Sequence, residues 1–196
     1  MKTGTWTAAL GLGVFLAFSA SAGDETMRPY LEKGPLVLVE PEKSTGKFGQ
    51  ATAIVLIDAP VEKVWGIVTD FERYQSFVPK VSKSELVKKD KDEVYIHWEL
   101  DVPLSSEDYV VRYTFNLDKH EVIGSWVKGD LKGTWARFVV DATADGKSLL
   151  THTTSVRNFS SLAQRLEDDG QTITIGVNVS SVLAVTKAIK RRAEGK

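Results

Sequence analysis

Across residues 94–117 the chain twice repeats a pattern that few folds accept, with a large apolar side chain at every second position. Val94, Ile96, Trp98, Leu100 and Val102 alternate with Tyr95, His97, Glu99 and Asp101. Further on, Tyr109, Val111, Tyr113, Phe115 and Leu117 alternate with Asp108, Val110, Arg112 and Thr114. Alternation sends successive side chains to opposite faces, so each run predicts a strand with one face more apolar than the other. Residues 122–128 with Trp126, 133–142 with Trp135 and Phe138, and 148–156 continue the series. Turn signals such as Asp90-Lys91-Asp92 and Ala144-Asp145-Gly146 separate the runs, and residues 81–157 therefore predict a meander of five or six antiparallel strands.

Before this meander the period changes. Residues 51–57 read as a strand, and after Asp58-Ala59 comes Pro60, suited to a first helical position. Val61, Val64, Trp65 and Val68 then fall at i, i+3, i+4 and i+7, which predicts a short helix. Asp70 is placed to cap a second, carrying Phe71, Tyr74, Phe77 and Val78 and ended by Pro79. Residues 23–49 hold Pro29, Gly34, Pro35, Pro41, Gly46 and Gly49 and read as a linker. Leu36-Val37-Leu38-Val39 forms an edge strand within it, turned by Lys43-Ser44-Thr45-Gly46 into a hairpin. At the other end Ile173, Ile175, Val177 and Val179 alternate as in a strand, while Val179, Val182, Leu183, Thr186 and Ile189 repeat as in a helix. The longer period favours a helix over 178–193, with a start between 160 and 178, and Lys187, Lys190, Arg191 and Arg192 suit its C-terminal dipole.

The first 22 residues carry Lys2, an uncharged apolar run over 8–18 and Ser19-Ala20-Ser21-Ala22, the layout of a secretory signal cleaved after Ala22. The run is shorter than the roughly 20 residues a membrane span needs, so the expected product is periplasmic or secreted, with no stable membrane anchor and at most transient membrane contact. No cysteine is present, which excludes disulfides, thiolate chemistry, cysteine-held metals and an acylated N-terminal cysteine. The hydrophobic core must then supply stability. The formal net charge is -1, and loss of Lys2 makes it -2, which points away from nucleic acid.

The order strand, two short helices, antiparallel run, terminal helix resembles the helix-grip fold of the START-like (SRPBCC) superfamily. The stretch from Ile57-Asp58-Ala59-Pro60 to Val64-Trp65 looks like that group's strand-to-helix entry. Asp70-Phe71-Glu72-Arg73-Tyr74-Gln75-Ser76-Phe77-Val78-Pro79 resembles the D-F-x-x-Y-x-x-F-x-P segment of its coenzyme Q-binding and polyketide cyclase/dehydrase-like branch. Gly133-Thr134-Trp135 followed by Asp145-Gly146 is similar to that branch's late hairpin. The likeness covers residues 50–193 and departs in the export signal, the N-terminal extension and a longer 158–178 stretch.

This resemblance implies an α+β protein whose curved antiparallel sheet wraps around a long C-terminal helix, with two short helices after the first strand. The chain is accordingly expected to divide into a signal peptide over 1–22, an extension over 23–49 with its edge strand and a helix-grip domain over 50–196. The resemblance also implies a cavity between sheet and helix. Candidates for its wall are Phe71, Tyr74, Phe77, Trp98, Tyr109, Tyr113, Phe115 and Phe138, with Val179, Val182, Leu183 and Thr186 as a lid and Arg112, Arg137 and His152 as polar pocket groups. The same aromatics equally suit ordinary core packing.

Catalytic constellations are sparse. His97-Trp98-Glu99 has the H-x-E spacing of zinc deaminases but lacks their cysteine pair. His97, Glu99 and Asp101 share one strand face, opposite Trp98 and Leu100, which predicts a solvated surface rather than a metal site. Glu167-Asp168-Asp169-Gly170 reads as a solvated turn, and Asn158 and Asn178 begin glycosylation sequons. No metal, cofactor or catalytic residue is expected. The expectation is a non-enzymatic carrier or sensor of a hydrophobic, lipid-like molecule such as an isoprenoid, quinone, sterol-like or acyl compound. The rivals are a cyclase, dehydrase or isomerase acting in the same cavity, and a ligand-free protein-interaction module.

Overall fold

The computed structural model describes residues 20–102, 105–129, 131–156 and 171–196. The apolar export segment up to residue 19, the Asn158 sequon and the Glu167-Asp168-Asp169-Gly170 turn lie outside them.

Alternating side chains produce one sheet of eight antiparallel strands: β1 (Leu36–Pro41), β2 (Phe48–Ile57), β3 (Val81–Lys89), β4 (Glu93–Val102), β5 (Ser105–Asn116), β6 (Glu121–Gly129), β7 (Trp135–Ala142) and β8 (Ser148–Ser155). Their spatial order is β1-β2-β8-β7-β6-β5-β4-β3. Strands β3 to β8 are therefore the expected meander, and β1 is the expected edge strand, hairpinned to β2 with Leu36 opposite Ile54. Because β2 pairs with β8 while β3 is the far edge, the connection from β2 to β3 must cross the whole sheet. Helix α2 (Val61–Thr69) and a 3-10 segment (Phe71–Ser76) make that crossing. With the C-terminal helix α3 (Thr172–Glu194) they cover one sheet face, the helix-grip arrangement.

Period 2 sorts the residues cleanly. Ala53, His152, Phe138, Val122 and Phe115 stand side by side across β2, β8, β7, β6 and β5 on this inner face. The adjoining core joins Val55, Ile57, Val64, Val68, Phe71, Tyr74, Ile96, Trp98, Val111 and Ile189. Fully burying one such side chain contributes about 1.5–3 kcal/mol.

Three local expectations need correction. Pro60 sits one residue outside α2, extended at φ -68 and ψ 153, because the helix opens at Val61. Asp70 makes no side-chain cap; its carboxylate lies 3.4 Å from the Arg73 guanidinium, and the helix it precedes is a single 3-10 segment. The region expected as linker contains helix α1 (Ala20–Leu31). There Met27 and Leu31, four residues apart, pack on Leu36, Ile54, Leu56 and Leu149 on the outer sheet face, and this tertiary contact outweighs Pro29 inside the helix. Helix α3 begins at Thr172, inside the expected window of 160–178, so the alternation from Ile173 to Val179 is helical, with Ile173 and Ile175 half-buried and Val177 exposed. Gly195 ends α3 in the left-handed conformation at φ 73, donating its N–H to the Arg191 carbonyl.

Candidate functional site

The inner face divides into two regions of different composition. Under α3, Ala51 and Ala53 of β2 and Thr154 of β8, all small or hydroxylated, are buried. Small residues let a helix approach a sheet closely, and Val182 of α3 packs directly on Ala51 and Ala53, with Val179 beside it. Asn178 closes the contact. Its Oδ1 accepts the Val156 N–H at 2.7 Å, and its Nδ2 donates to the carbonyls of Val156 at 3.2 Å and Thr174 at 2.8 Å. A sequon asparagine so engaged presents no acceptor site at the surface. Lys190 adds a bond from its Nζ to the Leu56 carbonyl at 2.6 Å and lies 2.5 Å from Glu194. Burial pushes the Glu194 carboxyl up, but Lys190, Lys196 and the Asp58 N–H together bring it down to about 2.

Across β4 to β6 the inner face is aromatic. Trp98 pairs across strands with Tyr109, and Tyr109 lies 5.7 Å from the Trp126 ring. The 3-10 segment lies over these residues. Phe71 stacks on Tyr113 at 3.7 Å, and Tyr74 meets Trp98 edge-on at 5.3 Å. The Tyr74 hydroxyl donates to the Val68 carbonyl at 2.7 Å, and the Ser84 hydroxyl donates to the Phe71 carbonyl at 2.6 Å, fixing the segment to α2 and β3. Phe77 is half-buried against Tyr74, and the Arg192 guanidinium sits over its ring at 5.9 Å. At Gly124 the surface is tight, since a Cβ there would lie 2.8 Å from Cε1 of Tyr113 and 3.1 Å from Val111. Only glycine leaves the Tyr113 ring where it is.

The indole N–H groups of Trp98 and Trp126 are buried with no hydrogen-bond acceptor in bonding geometry. Burial pushes the Tyr109 and Tyr113 phenols well up, and the nearby indoles of Trp126 and Trp98 oppose that rise. Both hydroxyls therefore stay protonated throughout the working range. Where β7 meets β8, His152 stacks on Phe138 at 4.0 Å, with its Nδ1 buried and unpartnered. Burial lowers its pKa to about 3, against a smaller opposing contribution from the Val182 backbone, so the ring is neutral.

The structure brings Phe71, Tyr74, Trp98, Tyr109 and Tyr113 into one buried cluster, with Phe77 and Phe115 half-buried at its margin and Phe138 adjoining His152. It separates the expected lid from them. Val179 and Val182 face β2, the Thr186 hydroxyl is turned into its own helix toward the Val182 carbonyl at 2.6 Å, and Leu183 is half-buried. The α3 residues that reach the aromatic core are instead Val185, Ala188, Ile189 and Ala193, a neighbouring helical stripe. Arg112 and Arg137 are corrected as well. Alternation sends both to the outer face, where Arg112 approaches Glu93 at 3.7 Å and Arg137 pairs with Glu121. Sequence reasoning missed Trp126 and the buried Glu107 as inner-face residues, although Trp126 follows Val122 and Gly124 at period 2.

Two features lie elsewhere. On the outer face ligand atoms of His97, Glu99 and Asp108 come within 4.8 Å of one another, with Asp108 in place of the Asp101 considered from sequence. The His97 Nε2 is 3.0 Å from Asp108, and Lys83 already neutralises Glu99 at 3.3 Å. An open cleft of about 180 Å³ between α1, β2 and α3 is lined by Leu31, Glu32, Leu56, Asp58, Lys147 and Lys190, on the side of the sheet away from the aromatics. Helix α3 is also, by length and composition, apolar enough to cross a membrane, but here it is a sheet-packing helix.

Comparison with known proteins places this geometry. The family model described as polyketide cyclase / dehydrase and lipid transport matches residues 57–169. No curated protein matches the sequence. Among solved structures, a protein from Thermus thermophilus aligns with TM-score 0.67 at 14% identity, over 74% of this chain and 97% of its own. A STAR-related lipid transfer protein from Xanthomonas axonopodis aligns with TM-score 0.64 at 18% identity, over 82% and 94%. The Zhui aromatase/cyclase from Streptomyces sp. R1128 gives 0.56 at 16%, over 74% and 94%. At these identities the likeness establishes the fold.

Proposed function

The chain belongs to the polyketide cyclase / dehydrase and lipid transport family, and on that premise we propose that it is a non-enzymatic carrier or sensor of a hydrophobic small molecule, acting outside the cytoplasm. Family and fold fit both hydrophobic-ligand binding and cyclase chemistry. The observation that carries the carrier reading is the aromatic region over β4 to β6, where indole N–H groups are withdrawn from water without an acceptor. A sheet evolved only to pack would lose about 1–3 kcal/mol at each such group, and a bound molecule removes that cost. The enzyme reading has lost Arg112 and Arg137 to the outer face. It also finds His152 too weakly basic to take a proton near neutral pH, since its pKa lies at about 3. Export is supported by the layout of residues 1–22.

Native mass spectrometry of the protein purified from cells, paired with organic extraction, is the direct test. A co-purified hydrophobic molecule supports the proposal. A ligand-free protein that takes up no hydrophobic probe defeats it. Intact mass in the same experiment reads export, because cleavage after Ala22 leaves a chain beginning at Gly23, whereas a full-length chain recovered from the cytoplasm rejects it.

A further inference from the structure

Helix α3 buries one side and leaves the other bare. It is apolar enough to cross a membrane, yet only 28% of that apolar stretch is buried. Val179, Val182 and Ile189 take the side that meets the sheet. The opposite row, Val177, Ser180, Ala184, Lys187 and Arg191, follows spacings of three and four residues, and Val177 is 39% exposed. Apolar and small side chains thus lead into cations along one outward stripe, which holds no acidic residue.

The cations exceed what the helix itself requires. Helix α3 and the two residues after it carry Lys187, Lys190, Arg191, Arg192 and Lys196 against Glu194 alone, in a chain whose net charge is -1. A helix dipole offers about half an elementary charge at this end. Glu194 takes Lys190 and Lys196, and Asp58 acts on Lys196 as well. Lys187, Arg191 and Arg192 are exposed and form no ion pair with a described residue. Alongside, α2 adds Lys63 and Glu62, the latter 3.4 Å from His120, and the 3-10 segment adds Glu72, so positive charge stays in excess. Arg192 extends it to the margin of the aromatic cluster, where its guanidinium lies 5.9 Å from the Phe77 ring.

Charge complementarity selects a polyanionic partner, and the apolar residues in the same row select one with a hydrocarbon layer beneath its charges. Lysine and arginine lay their apolar stems along such a boundary while their heads stay in water. We propose that the outward face of α3 docks on an anionic phospholipid membrane, the helix lying along the surface with Lys187, Arg191 and Arg192 on the phosphates. The choice of a membrane rests on the carrier reading above, since a hydrophobic cargo passes between membranes, and the docking sets the margin at Phe77 against the lipid.

Co-sedimentation of the protein purified from cells tests it, with vesicles of phosphatidylcholine alone and vesicles made half of phosphatidylglycerol. Binding to the anionic vesicles should be at least tenfold tighter, and should fall at least fivefold when salt is raised tenfold. Each cation near an anionic surface is worth about fivefold, so Lys187→Gln, Arg191→Gln and Arg192→Gln combined should weaken binding at least twentyfold. Lys89→Gln, Lys91→Gln and Lys128→Gln combined remove the same charge from β3, the turn after it and β6, and should leave binding within threefold. Unchanged circular dichroism and unfolding midpoints certify that both triple variants fold, and all forms share one N-terminus, whose contribution cancels. Equal binding to neutral vesicles, or equal losses in the two triple variants, overturns the docking. Binding to a polyglutamate resin but not to vesicles also overturns it and assigns the face to an acidic protein. A protein that ignores vesicles yet carries a hydrophobic ligand in native mass spectrometry leaves the carrier reading standing. One that does neither overturns both.

Discussion

The two regions of the inner sheet face use opposite means of burial. Beneath α3, Ala51, Ala53 and Thr154 let the helix approach closely, and Asn178 satisfies both the N–H and the carbonyl of Val156. Over β4 to β6, large rings meet at stacked and edge-on angles, and Trp98 and Trp126 hide N–H groups without acceptors. A close-packed, hydrogen-bonded contact has a single solution and resists change. Large rings with unpaired polar atoms instead leave both contact and hydrogen-bonding capacity for a guest. His152 sits between the two, stacked on Phe138 yet with Nδ1 unpartnered. One sheet thus supports a structural clamp and a candidate receptor side by side.

The contrast sets the order of mutational effects. Asn178→Ala strands the buried N–H and carbonyl of Val156 and should cost about 4 kcal/mol in urea unfolding. A cost below about 1 kcal/mol would break the picture of a clamp. At the border the effect is pH-dependent. Folding keeps His152 neutral with its pKa lowered from 6.5 to about 3, so between those values the unfolded chain binds the extra proton. Its contribution is complete above pH 6.5 and is lost as pH falls toward 3, by roughly 3 kcal/mol after allowance for relaxation of the site. Urea midpoints of wild type and His152→Phe at pH 7 and pH 4 measure this, and the variant should lose less on acidification. In the aromatic region Gly124→Ala forces a Cβ against Tyr113 and Val111, an overpacking cost of about 2 kcal/mol that thermal unfolding will read. The smallest change is expected for Trp98→Phe in the ligand-free protein. Lost packing is offset by removal of an unsatisfied N–H, leaving stability within about 1 kcal/mol of wild type. A loss of 3 kcal/mol there would mean that the region is ordinary core.

Much of this was legible in the residues themselves. The alternation from Val94 to Phe115 placed Trp98 on the apolar face of β4, and Tyr109 and Tyr113 together on one face of β5, from the sequence alone, because a strand has only two faces. Phe71 and Tyr74 were marked by their three-residue spacing and are both buried against it. Other elements failed for identifiable reasons. Helix α1 depends on Leu31 and Met27 finding Ile54 and Leu56, residues distant in sequence, and Pro29 argued locally against it. The lid was misassigned because the periodicity of α3 identifies an apolar stripe without saying which strand each residue meets.

The amino-acid sequence by itself determined the two faces of each strand, the short helical stretch between β2 and β3 and the stop of α3 at Gly195. These follow from local periodicity and from glycine's freedom at positive φ. Only the tertiary structure decided that Asn178 clamps Val156, that Gly124 makes room for Tyr113, that Arg112 and Arg137 turn outward to Glu93 and Glu121, and that two indole N–H groups go unpaired. Each of these is a contact between distant parts of the chain. Such pairings are set by sheet register and by the path across the sheet from β2 to β3, which no local pattern encodes.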